Sequence, residues 1–244
     1  MASRRASEEL IQAGRVWVDG RVVTKLGTLV SQDADIQVDG RVIAKPKLAY
    51  YMLNKPRGYV TTLSDDRGRR DVGGLIKGLR ARVYPVGRLD AETEGLILLT
   101  NDGELTNILT HPRFKIEKTY VVVVKGRMEE DAVDRLRKGI YLREGKVTAQ
   151  VRIIKASRDT TALEMVITQG YNRQIRRMLA AVGYNVKRLE RTKFGPLKVK
   201  GLPKGAFRLL KREEIEALRR LAAPKAVLGS EGRSAGGALR KGEG

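Results

Sequence analysis

The sequence of 244 residues has no cysteine and a single histidine, His111. Without thiols there are no disulfides, iron–sulfur clusters, thiolate nucleophiles or cysteine-ligated zinc, and the composition fits a reducing compartment. One imidazole rules out histidine relays and histidine-rich metal centres. A zinc-type base deaminase, which needs histidine and cysteine ligands, is therefore excluded. Covalent chemistry is left to a carboxylate, a hydroxyl or an amine. A Walker-type phosphate loop and a dinucleotide glycine fingerprint are also missing, so no cofactor and no metal are expected. No apolar run approaches the ~18 residues of a membrane-spanning helix, and nothing resembles a cleavable signal peptide or an amphipathic anchor. The expectation is a cytoplasmic protein with no membrane partner.

Acidic residues are scarce: 28 Asp and Glu stand against 49 Lys and Arg, for a formal net charge of +21. Such a chain seeks a polyanion, because lysine and arginine gain affinity by displacing the counterions condensed on phosphates, and nucleic acid is the first expectation. Hydrophobic residues make up 41%. That suffices for a real core, in one large domain or in a small one beside a medium one.

Ser3 to Ala13, SRRASEELIQA, reads as a short helix with a serine cap, stopped by Gly14. Val16–Val18, Val22–Val23 and Ile36–Val38, with turns at Asp19-Gly20 and Asp39-Gly40, complete a helix-plus-hairpin module. A linker at Ala44–Lys47 leads into a second domain, so the expected division is 1–44, 45–223 and a disordered basic tail at 224–244. The second domain lacks the regular rhythm of a parallel sheet and reads as α+β with a mainly antiparallel sheet. Its expected strands are Ala49–Leu53, Leu96–Thr100, Thr119–Lys125, Thr148–Ile154, Leu163–Thr168, Val186–Arg191 and Ala206–Leu210. Its expected helices are Glu104–Leu109, capped by Asn101 or Asp102, Glu129–Lys138, Arg173–Val182 and Arg212–Leu221.

Four stretches could carry chemistry. Val86 to Gly103 reads VGRLDAETEGLILLTNDG, an arginine and a lone carboxylate, Arg88 and Asp90, set directly ahead of a run built for burial. An isolated aspartate in a turn is more often structural than catalytic; an arginine brought alongside by folding would keep it ionised and nucleophilic. From Asn172 to Lys193 seven basic residues stand against one acidic one, and Arg173, Arg176 and Arg177 are spaced to project from one side of a helix. A solvated helix face and a phosphate-contacting face are the two readings. Lys55-Pro56-Arg57-Gly58 is either a plain connection or a phosphate-binding turn. In Lys118-Thr119-Tyr120 the tyrosine could be a core-edge aromatic with a wet hydroxyl.

Taken together in this order and spacing, Lys55–Gly58, Gly87-Arg88-Leu89-Asp90, Thr100–Gly103, Lys118–Tyr120 and Asn172-Arg173-Gln174-Ile175-Arg176-Arg177-Met178 resemble the RsuA/RluB family of ribosomal RNA pseudouridine synthases. The resemblance runs from about Leu48 to Leu221. The amino-terminal module is similar to the small S-four-type RNA-binding domain common in that family; members carry a further first helix before the matching Ser-Arg-Arg, so this domain is expected to be cut short. The resemblance implies an isomerase without cofactor. It makes Asp90 the essential carboxylate, acting as nucleophile on the ribose or promoting loss of the uracil to a glycal. Arg176 matches the basic residue that pairs with the aspartate, with Arg177 the second candidate, and Tyr120 matches the tyrosine against the target base. Arg88 is placed to fill the space left by a flipped-out uridine, and Lys55, Arg173 and Arg177 are expected RNA contacts.

The implied partner is 23S large-subunit ribosomal RNA or a large-subunit assembly intermediate, bound by a monomer. The alternatives are a small-subunit (16S) ribosomal RNA pseudouridine synthase and a non-catalytic RNA-binding ribosome-assembly protein. Asp90 separates the last from the others, since a pure binder has no reason to keep an aspartate where phosphates approach.

Overall fold

The computed structural model describes residues 4–31, 33–44 and 46–221. The chain divides into two compact units, with the break between Lys47 and Leu48. The tail expected at 224–244, like the serine cap expected at Ser3, lies outside the described residues.

The first unit holds α1 (Arg4–Gln12) and four short strands, β1 (Val16–Val18), β2 (Arg21–Val22), β3 (Ile36–Val38) and β4 (Arg41–Val42), in the order β2-β1-β3-β4. Both Asp-Gly turns have two successive residues at positive φ, 46° and 76° at Asp19-Gly20 and 51° and 74° at Asp39-Gly40. This is the backbone that two-residue hairpins require, and aspartate followed by glycine tolerates it. Arg15 closes the sheet by donating Nε and Nη2 to Asp39 at 2.7 and 2.6 Å. Leu10, Ile11, Val16, Val18, Ile36 and Val38 are half-buried, and no described side chain of this unit is fully buried.

The second unit is built on a nine-stranded sheet. In chain order it comprises β5 (Tyr50–Lys55), α2 (Val72–Leu75), β6 (Tyr84–Pro85), β7 (Glu94–Thr100), α3 (Gly103–Thr110), a 3-10 turn at Pro112–Phe114, β8 (Lys118–Lys125) and α4 (Glu130–Lys138). There follow β9 (Ile140–Leu142), β10 (Gly145–Val147), β11 (Gln150–Ala156), β12 (Thr160–Ile167), α5 (Gln174–Ala181), β13 (Val186–Phe194), β14 (Leu197–Lys198), β15 (Phe207–Leu209) and α6 (Arg212–Arg220). The sheet runs β11-β12-β8-β13-β7-β5-β15, with β14 beside β13 and β6 beside β7. All its pairings are antiparallel except that of β13 with β7. The expected α+β class with a mainly antiparallel sheet is what the chain adopts. β9 and β10 form a separate hairpin that was not expected.

The apolar run is explained by two-sided burial. Every residue of β7 is buried. Ile97 and Leu99 face one core, with α4 and α5; Leu96 and Leu98 face the other, with α3 and α6. A strand covered on both faces has no polar side to present, so alternation disappears. Asp102 caps α3, accepting from Leu105 N at 3.0 Å, and is itself held by the Tyr50 hydroxyl at 2.7 Å. In α4 acids lie in the first turn and Arg135, Arg137 and Lys138 in the last, matching the helix dipole.

Candidate active site

The loop ahead of β7 is pinned on three sides. Leu89 is buried in the core, and Thr61 grips its backbone twice: the Thr61 hydroxyl donates to Leu89 O at 2.7 Å and accepts from Leu89 N at 3.1 Å. Gly58 N donates to Ala91 O at 2.7 Å, and Thr93 N closes the turn on Asp90 O at 3.0 Å. Asp90 therefore projects from a fixed backbone, with its side chain about one-third exposed (32%). It lines a cleft of about 470 Å³ together with Arg88, Lys118, Tyr120, Arg173 and Arg191, a volume suited to a small organic moiety.

Arg173 is the arginine beside Asp90, with Nη1 at 3.9 Å from Oδ2. This corrects the expected pairing with Arg176 or Arg177. Arg173 is not on the helix: it precedes α5 in the left-handed region, at φ 49°, and so turns toward the 90–92 loop, where it also donates to Glu92 at 3.4 Å. Arg176 donates instead to the Glu92 carbonyl at 3.3 Å and pairs with its carboxylate at 3.6 Å. Arg177 makes a two-pronged contact with Glu144, at 2.8 and 3.0 Å. The three arginines do not form one row facing phosphate. Two brace the 90–92 loop at the edge of the cleft, and the third joins α5 to the residue just before β10.

Lys55 is a second correction. Its side chain is wholly inside the protein, at 0% exposure, and Nζ donates to the carbonyls of Pro56 and Tyr59 at 3.1 and 2.7 Å. It holds the turn that in turn holds Ala91, and cannot reach an RNA phosphate. Burial pushes its pKa down to about 8, against the opposing pull of Asp90 and Glu94.

Across the sheet, Lys55 lies opposite Gly95, Gly95 opposite Arg191, and Arg191 opposite Tyr120. One register row thus carries two buried cations and the tyrosine, which is 8% exposed. Gly95 has φ 106°, and a Cβ there would stand 2.3 Å from Arg191 O; only glycine lets β7 and β13 approach this closely. Arg191 is 4% exposed, donates Nε to Leu96 O at 2.7 Å, and stacks over the Phe194 ring at 4.9 Å. Lys118, two residues before Tyr120 on β8, donates to Thr168 O at 2.8 Å; burial and the nearby Arg191 push its pKa down to about 8. Arg191 is the cleft residue that sequence reasoning missed, because inside a strand of alternating charge nothing marks one arginine as buried.

Residues 49–181 match the RNA pseudouridylate synthase family, and residues 1–36 match the S4 domain. The chain is 42% identical over 225 residues, 91% of this chain and 92% of the relative, to a Bacillus subtilis protein named ribosomal large subunit pseudouridine synthase B. It is 38% identical over 232 residues to the Yersinia pestis protein of the same name, covering 90% of this chain and 72% of that one. A solved pseudouridylate synthase superposes with a TM-score of 0.66 at 30% identity, over 88% of this chain and 94% of the other.

Proposed function

The chain belongs to the RNA pseudouridylate synthase family, in its RsuA/RluB branch, with an S4 domain at its amino terminus, and from that premise we propose that it converts a uridine of large-subunit ribosomal RNA to pseudouridine at Asp90. The substrate class rests on the Bacillus and Yersinia relatives, whose names specify the large ribosomal subunit.

The reaction breaks the bond from ribose carbon 1′ to uracil nitrogen 1, turns the base, and joins carbon 1′ to carbon 5. Carbon 5 gives up a proton and nitrogen 1 gains one, so no redox partner or energy source enters the balance. Such chemistry asks for a fixed carboxylate at the ribose and a pocket that holds a freed base while it rotates. Asp90 on its pinned loop, at the edge of a cleft lined by Tyr120, is the observation that carries the reading. In both the nucleophilic and the glycal routes the carboxylate acts at the ribose, and Arg173 orients it. The Tyr120 ring lies against the base. Because a stacked base shields its glycosidic bond, the uridine is flipped into the cleft and Arg88, exposed on the rim, takes its place.

Asp90→Asn is expected to bind ribosomal RNA as the parent does, since a carboxylate adds nothing to phosphate contacts, while tritium release from RNA labelled at uracil carbon 5 falls below detection. Full turnover by this variant would refute the assignment of Asp90, whereas binding without any tritium release by the parent protein would favour a role for the fold in RNA binding alone.

A further inference from the structure

We propose that Arg191 and Lys118 form the seat for the negative charge that develops on uracil as its bond to ribose breaks. The inference rests on the function proposed for the same cleft and adds what holds the base once it is free.

A buried cation is costly unless an anion neutralises it. Arg191 cannot lose its proton, is almost fully enclosed, and has an Nη2 with no acceptor among the described residues. The charged group that bears on Lys118 is Arg191 itself, another cation. Lys55, in the same register row, adds a third positive charge, which Asp90 and Glu94 partly offset. Among the described residues no carboxylate forms an ion pair with Arg191 or Lys118. Near the rim of the cleft, by contrast, Arg173 and Arg176 are matched to Asp90 and Glu92. The interior is therefore set for an anion that the protein does not supply.

Uracil supplies one. When the bond to carbon 1′ breaks, its electron pair stays on nitrogen 1 and spreads onto the two carbonyl oxygens, which accept hydrogen bonds from guanidinium and ammonium groups. Bond formation at carbon 5 returns the pair to the ribose carbon; the carbon 5 proton leaves to water and nitrogen 1 takes a proton from water. The seat is thus engaged most strongly while the base is free, which is when stabilisation speeds the reaction. The position favours the base over a backbone phosphate: Arg191 stands opposite Tyr120 inside the sheet, whereas a phosphate stays at the mouth with Arg88 and Arg173. Cationic donors also discriminate against cytosine, which presents an amino group where uracil presents an oxygen.

The test is single-turnover tritium release from large-subunit ribosomal RNA transcribed with uridine tritiated at carbon 5, alongside RNA affinity and thermal unfolding. Lys118→Met and Arg191→Lys are expected to slow release, Lys118→Met by about 100-fold, as for loss of one oxyanion donor, with RNA affinity unchanged. Arg191→Ala is expected to regain rate when guanidinium is added at millimolar, non-denaturing concentration, a rescue that a purely structural role would not show. Variants at full rate, a loss of affinity in step with rate, or no rescue of folded Arg191→Ala would each overturn the seat. No release by the parent protein from any ribosomal RNA would instead overturn the function, and the seat with it.

Discussion

The two units of this chain meet the same kind of ligand with opposite construction. In residues 4–44 a helix and four strands of two or three residues leave no described side chain fully buried, and even Trp17 is 41% exposed. From residue 48 onward a nine-stranded sheet is covered on both faces along β7, and Leu96 to Leu99 have no exposure at all. Displaying positive charge to RNA needs only a scaffold, since phosphate attraction is long-ranged and tolerant of position. The reaction proposed here asks for a carboxylate fixed to a fraction of an ångström, and that precision comes from a packed core.

The contrast would be broken most severely at Gly95. Gly95→Ala puts a methyl group 2.3 Å from the Arg191 carbonyl oxygen, at a φ that side chains avoid. Backbone strain and overpacking together should cost roughly 2–6 kcal/mol. Urea unfolding followed by circular dichroism should show that loss, and an unchanged midpoint would mean that the β7–β13 junction yields more than its packing implies.

Lys55 sharpens the contrast, because a fully buried lysine exists only in the second unit among the described residues. Its pKa stands at about 8 in the fold against an ordinary 10.5. Between those values the unfolded chain binds more protons than the folded one, so stability rises with pH across this window and gains nothing from Lys55 below it. The whole rise is on the order of 3 kcal/mol. Lys55→Met should flatten the slope of unfolding free energy between pH 8 and 10; parallel slopes in the two proteins would show that the ammonium is better solvated than its enclosure indicates.

Much of this architecture is written locally. Asp19-Gly20 and Asp39-Gly40 name their turns because few other pairs accept two positive φ values, and Leu96–Leu99 reads as a strand covered on both sides. Asp102 was one of two candidate caps, and the backbone chose it. The arginine that meets Asp90 could not be read in this way: helical spacing put Arg173, Arg176 and Arg177 on one side, but Arg173 leaves the helix with a left-handed backbone. Lys55 read as a surface turn because its ammonium is satisfied by carbonyls one and four residues ahead, a fit invisible without coordinates. The hairpin of β9 and β10 escaped notice since each strand has three residues and Tyr141, in the middle of β9, is 78% exposed. Arg191 needed the sheet register that sets it beside Tyr120 and opposite Gly95.

The smallest effect is expected in the first unit, at Arg15. Its contact with Asp39 is short and two-pronged, yet both side chains are about half exposed, at 54% and 47%. Water and salt screen such a pair, and holding two side chains in place offsets much of the attraction. The Asp19-Gly20 and Asp39-Gly40 turns keep their geometry without it. Arg15→Ala should therefore leave amide hydrogen exchange in β1 and β3 within scatter of the parent, at low salt as at high. Rapid exchange throughout that sheet would mean that, in a unit with no fully buried side chain among its described residues, one surface ion pair does what a hydrophobic core does in the other.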